Sequence, residues 1–287
     1  MHVRLPFLGL DFDPLSVDET AAAMAWRARK LAPFAYVTTP NVDHIVRLDA
    51  APALRAVYDG AWLNVSDSRI IEAFAEASYL TLPAAPGSDI TKRLFTHHIK
   101  PLDRVVVIGG SQAVIEALRA KFGLLDLRWF DAPMGLREDT AARAKCVAFI
   151  RENPAPFVFI AVGSPQQEMI ALEAMLSGQC AGVAICCGAS LEFLTGHVAR
   201  APGWMRKRRL EWLHRLASEP GRLWRRYLVD GPRIFTIWRR WRSGPLDAFI
   251  PANDMAVSPP LGERHEHVGA ALSLLGPGDR RRVSPAA

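Results

Sequence analysis

PFVFIAVGSPQQEMIALEAMLSG (156–178) runs from an unbroken apolar stretch through a Gly-Ser-Pro turn into a pattern with helical spacing. A short Val/Ile/Phe run bounded by turn residues is a strand, and a strand feeding straight into a helix is half of a parallel βαβ unit. The same grammar recurs on either side. DRVVVIGGS (103–111) leads into QAVIEALRAKFG, and DLRWFDAP (126–133) precedes a helix from about 138 to 151. FAYVTTP (34–40) leads into VDHIVRLDAAPALRAVYDGA, whose apolar positions include Ile45, Leu48 and Leu54. AWLNVSD (61–67) leads into RIIEAFAEA, and GVAICCGAS (182–190) closes the series. Repeated strand–helix alternation with near-continuous apolar strands predicts an α/β fold: a mostly parallel, Rossmann-like sheet with helices on both faces. Ligands of such sheets bind beyond the carboxyl ends of the strands, where TTPN, VSDS, IGGS, VGSPQQ and CGAS all fall.

After Arg200 the pattern changes. RAPGWMRKRRLEWLHRLASEP and GRLWRRYL read as helices, with Pro220 near the start of the second. Three segments follow: an α/β body over 1–198, a basic helical appendage over 199–243, and a Pro/Gly/Ala-rich tail over 244–287 expected to lack order. Between Arg200 and Arg242 stand thirteen Lys/Arg against three acids (Glu211, Glu219, Asp230), in a chain of net charge +6, so the remainder is slightly acidic. Five of the eight tryptophans lie in the same window. Such an asymmetry points to an anionic partner. On this division, removing 200–287 is expected to leave a folded body.

The four cysteines (Cys146, Cys180, Cys186, Cys187) form no CxxC pair and are expected to be buried and reduced. MHVRLPFLGLDFD reaches acidic residues too early for a signal-peptide core, and no apolar run approaches the ~20 residues of a membrane span. The expected location is cytosolic.

Each candidate site residue has a plain structural alternative. Gly109, Gly110 and Ser111 of IGGS could meet a phosphate or form only a tight turn; the spacing is not GxGxxG, which argues against a dinucleotide fingerprint. Asp11 and Asp13 of DFD could share a divalent ion, but a polar turn accounts for them, and HEH (265–267) lies in the tail. Asp67 follows a strand and precedes a helix, where it is either a functional carboxylate or an N-cap. Thr39 and Asn41 either bind a sugar or cap the next helix. Gln167 and Glu168 either read a ligand or occupy a first helical turn.

Together LPFLGLDFDPLSVDET, TTPNVDHI, WLNVSDSRII, GSDI, VVVIGGS, VGSPQQE, GASLEFLTGHVARAPGWMRK and above all RAPGWMRKRRLEWLHRLASEPGRLWRRYL resemble the WecG/TagA/CpsF bacterial glycosyltransferases, glycosyltransferase family 26. The resemblance spans about residues 4–235. It implies inverting transfer of a hexose or N-acetylhexosamine from a UDP-sugar donor to a polyprenyl-diphosphate-linked sugar acceptor, in cell-surface polysaccharide synthesis. The protein would sit peripherally on the cytoplasmic face of the inner membrane, with no metal and no cofactor. It further implies Asp67 as general base, Thr39, Asn41 and Gln167 as substrate ligands, and Arg215, Arg222 and Arg225 closing over the diphosphates. Where family members often carry Asp-Gly, this chain has Asp67-Ser68, a difference bearing on the donor sugar. A homo-oligomer stays open. The rival readings are a nucleic-acid-binding protein that uses the Arg/Trp arm, and a catalytically idle scaffold.

Overall fold

The computed structural model describes residues 4–203, 205, 208 and 211–244, with the backbone alone at Glu211 and Arg222. The tail beyond Gly244, HEH included, lies outside the described residues. An antiparallel hairpin opens the fold, β1 Leu5–Phe7 and β2 Leu10–Phe12, turning through Leu8 and Gly9 at positive φ. Strands β3 Ala35–Thr38, β4 Leu63–Asn64, β5 Val105–Gly109, β6 Leu127–Phe130, β7 Phe157–Ala161 and β8 Val183–Cys186 then form one sheet. Its order is β4-β3-β8-β7-β5-β6 and every pairing is parallel. The predicted strands and their following helices are all present, and the four cysteines are buried and free.

The sheet is buried on both faces because alternate residues feed two separate cores. Val106, Ile108, Val158, Ile160, Ala184 and Cys186 face one way, toward α2 (Val42–Ala50), α3 (Arg55–Asp59), α4 (Arg69–Glu76), α7 (Thr140–Glu152) and α8 (Gln166–Leu176). Val105, Val107, Phe157, Phe159, Val183 and Ile185 face α1 (Val17–Arg29), α5 (Gly87–Arg93), α6 (Gln112–Phe122) and α9 (Ser190–Thr195). The helical stretch 42–61 is interrupted because Ala51, at φ −139° and ψ 76°, precedes Pro52, and a residue before proline leaves the helical region.

Chains leaving β3, β4 and β7 enter helices on the first face, whereas the chain leaving β8 enters α9 on the second. Since β8 lies between β3 and β7, the connections diverge there and open a crevice above the strand ends.

The C-terminal region is not one detached arm. Helices Glu211–Ser218 and Pro220–Trp224 and a wide π-type turn over Arg225–Asp230 cover that crevice. The terminal helix Arg233–Arg242 instead belongs to the body's core. Ile234 and Ile237 are buried, Trp241 meets Phe7 edge-on at 4.7 Å, and Phe74 packs on both Phe235 and Trp238. Trp238 Nε1 donates to Ser78 Oγ at 3.0 Å, and Arg240 pairs with Asp49. The terminal helix of the segment 199–243 thus packs against residues on the other side of the boundary at 199. The helical spacing of Ile234, Ile237, Trp238 and Trp241 made this apolar face legible, but the arginines between them dominated the sequence reading.

Candidate active site

A cavity of about 730 Å³ occupies the crevice. Its floor comes from the loops after β3, β4, β7 and β8, and its roof from the C-terminal helices. Thr39, Asn41, Asp67, Gln167 and Arg215 all line it.

Asp67 reaches the wall from the loop after β4, where its amide donates to the Pro40 carbonyl at 3.0 Å and ties the two loops together. It is not the helix cap. Ser68 is: its hydroxyl accepts from the Ile70 and Ile71 amides at 3.2 and 3.3 Å. Ser68 thus supplies the capping oxygen. Thr39 is buried and backed by the first turn of α5, where a Cβ on Gly87 would lie 2.9 Å from Thr39 Oγ1, so glycine lets that turn close on the threonine.

Asn41 does cap α2, its side-chain oxygen accepting from the Asp43 amide at 3.0 Å. His44 completes the cap through Nδ1, which accepts from the Asn41 amide at 3.0 Å. Burial, reinforced by the Arg47 and Arg226 charges, lowers the His44 pKa to about 3, so the ring is neutral. Gln167 Oε1 accepts from the Gly188 amide at 2.9 Å, and its Nε2 donates to Glu168 at 2.7 Å. Glu168 is buried beneath the floor, where desolvation raises its pKa against the opposing Gln167 hydrogen bond. Arg47 bridges to Ser164 Oγ at 2.9 Å and pairs with Asp43.

On the roof, Arg215 stacks over Phe193 at 5.3 Å, and Trp212 faces Tyr227 at 6.0 Å. Arg226 reaches Asp43 at 3.5 Å, and Arg200 grips Asp89 with two hydrogen bonds of 2.5 and 3.0 Å. Arg226, not Arg225, lines the cavity; Arg225 is exposed, and the Arg222 side chain lies outside the described residues.

Gly109 ends β5, Gly110 and Ser111 follow it, and none of the three is among the cavity's lining residues. Ser111 caps α6, Trp129 Nε1 donates to the Gly109 carbonyl at 3.0 Å, and a Cβ on Gly109 would strike Val162 at 2.6 Å. These contacts are those of a tight turn. The DFD carboxylates also part company: Asp13 accepts from Arg4 and the Asn64 amide, while Asp11 pairs with Arg55.

Sequence reasoning missed His44, Arg47 and Arg200. The first two were legible as positions three and six beyond the Asn41 cap, on the first two turns of a helix that starts at a functional strand end. Arg200 could be matched to Asp89 only in three dimensions.

The buried imidazole makes a prediction about acid. The folded pKa lies below the unfolded value of 6.5, so protons bind preferentially to the unfolded chain as pH falls from about 6.5 toward about 3. In that window His44 is expected to cost about 1.4 kcal/mol of stability per pH unit. Glu168 works oppositely, its raised pKa relieving the folded state as pH falls toward the ordinary carboxyl value. Comparison with His44→Asn isolates the imidazole: between pH 7 and pH 5 the variant should lose about 2 kcal/mol less than wild type in denaturant titrations. Equal losses would show that the imidazole is not held neutral.

A model of the Glycosyl transferase WecG/TagA/CpsF family matches residues 5–246, taking in the sheet, the cavity floor and the helices that roof it. The chain therefore belongs to the WecG/TagA/CpsF family of glycosyltransferases.

Proposed function

We propose that the protein moves a hexose or N-acetylhexosamine from a UDP-sugar to a polyprenyl-diphosphate-linked sugar, with inversion and without a metal, in cell-surface polysaccharide synthesis. The observation that carries this reading is the composition of one cavity: a carboxylate, Asp67, and the amides Asn41 and Gln167 on its floor, with Arg215 and Arg226 in its roof. In an inverting transfer, Asp67 takes the proton of the acceptor hydroxyl as that oxygen attacks the anomeric carbon, and the nucleotide diphosphate leaves. Guanidinium groups in a water-poor site then stabilise the growing negative charge. The separate ion pairs of Asp11 and Asp13 support a route that does not use DFD as a metal site.

The roof's outer side supports docking at a bilayer. Leu213, Trp224, Leu228 and Val229 of the roof segments are exposed, as is Arg225 among them, a mixture suited to lipid headgroups. Among the described residues, no helix is long and apolar enough to cross a membrane. The nucleic-acid alternative loses support because Arg226, Arg233 and Arg240 turn toward body carboxylates.

The test is a donor screen with a synthetic polyprenyl-diphosphate-sugar acceptor and the purified protein, with and without EDTA. One UDP-sugar should yield glycosylated lipid and UDP at equal rates in both conditions. No transfer from any UDP-sugar overturns the donor class, and loss of activity in EDTA overturns metal independence.

A further inference from the structure

A backbone amide can only donate a hydrogen bond, so any side-chain atom bonded to one must be an acceptor. That rule fixes three side chains of the cavity. Asn41 Oδ1 accepts from the Asp43 amide, so its Nδ2 carries the free hydrogens. His44 Nδ1 accepts from the Asn41 amide, and a neutral ring then bears its hydrogen on Nε2. Gln167 Oε1 accepts from the Gly188 amide, and one Nε2 hydrogen goes to Glu168, leaving one N–H. All three residues line the same cavity, two from the start of α2 and one from α8. His44 has its only acceptor lone pair committed to main chain, the amide oxygens of Asn41 and Gln167 are each engaged by one main-chain N–H, and each of the three keeps at least one N–H for a ligand.

We propose that Asn41, His44 and Gln167 form a donor-rich patch that receives a hydrogen-free oxygen of the nucleotide, with His44 Nε2–H a substrate-binding group. A wall with an unspent N–H on each of three side chains matches phosphoryl and carbonyl oxygens, which only accept. The guanidinium groups of Arg47 and Arg226 flank His44, and a neutral imidazole adds a directed hydrogen bond beside them without adding repulsive charge. The proposal deepens the glycosyltransferase reading and rests on it for the choice of nucleotide.

The variant His44→Asn separates the cap from the patch. Its short amide retains an oxygen for the Asn41 amide but has no group at the position of Nε2. Binding of UDP, uridine and inorganic diphosphate is measured by calorimetry for wild type and variant, alongside the melting temperature. His44→Asn should fold and bind UDP about 5- to 50-fold more weakly, the loss of one hydrogen bond to a polar or charged oxygen. A matching loss for uridine assigns the oxygen to the base, and one for diphosphate assigns it to a phosphoryl group. Unchanged UDP binding by the folded variant overturns the patch and leaves the glycosyltransferase reading standing. Wild type that binds diphosphate but neither UDP nor uridine, with the variant weakened, keeps the patch and removes the UDP reading. Wild type that binds none of the three removes both. Should His44→Asn not fold, Gln167→Met removes the donor contributed by α8 with little change in volume, and the same outcomes decide.

Discussion

Asp67→Asn is expected to slow sugar transfer by about 10²- to 10⁴-fold, the usual contribution of a positioned general base, while the melting temperature stays within a few degrees of wild type. The two halves of that expectation have separate causes. Asparagine nearly reproduces the shape of aspartate but cannot accept the acceptor's proton at neutral pH. The substitution leaves in place the cap of α4, which belongs to Ser68, and the tie to Pro40, which runs through the Asp67 backbone amide. Ser68→Ala is the mirror control, losing about 1 kcal/mol of stability with the carboxylate in place. Rates are compared at saturating donor and acceptor, so that a fall in kcat is not mistaken for weaker binding. Near-normal turnover by Asp67→Asn would remove Asp67 as the base, whatever the behaviour of Ser68→Ala.

The contrast between these neighbours shows where the sequence was readable. Strands such as VVVIG and FVFIA, each bounded by a turn and followed by a helix, expose their identity through local composition, and the sheet followed from them. That the loops after them face one cavity follows from parallel topology. The choice between cap and functional carboxylate at 67 and 68 did not, because both residue types cap well and only the hydroxyl's distances to Ile70 and Ile71 separate them. The hairpin at residues 5–12 was missed because its turn places Leu8, an unusual residue for the purpose, at φ 51°. Helix α1 was overlooked although Ser16 and Glu19 form a capping box that SVDE spells out. The site's long-range pairs were beyond local reading, Arg200 with Asp89 and Arg226 with Asp43, because they join segments more than a hundred residues apart.

The same limit bears on the C-terminus. Truncation after Gly231 is expected to abolish the cooperative melting transition or lower its midpoint by more than about 10 °C, where charge counting expected a soluble, folded remainder. The deleted helix carries Ile234 and Ile237 into the core, each worth about 1.5–3 kcal/mol of burial. Its three ring contacts with Phe7 and Phe74 add about 0.5–1.5 kcal/mol apiece. Those contributions together rival the roughly 5–15 kcal/mol that separates a typical folded domain from its unfolded chain. The truncated chain would also bare the apolar surface around Phe7 and Phe74, inviting aggregation. Ending the chain at Gly244 is the necessary comparison, since it keeps every described contact of the helix. Trp238→Ala grades the effect, removing both the stack on Phe74 and the hydrogen bond to Ser78 at an expected cost of about 3 kcal/mol. Calorimetric melting of the three proteins decides the matter. A cooperative transition near the wild-type temperature after truncation at Gly231 would mean that the terminal helix rests on the body without stabilising it, and the boundary read from the basic arm would stand.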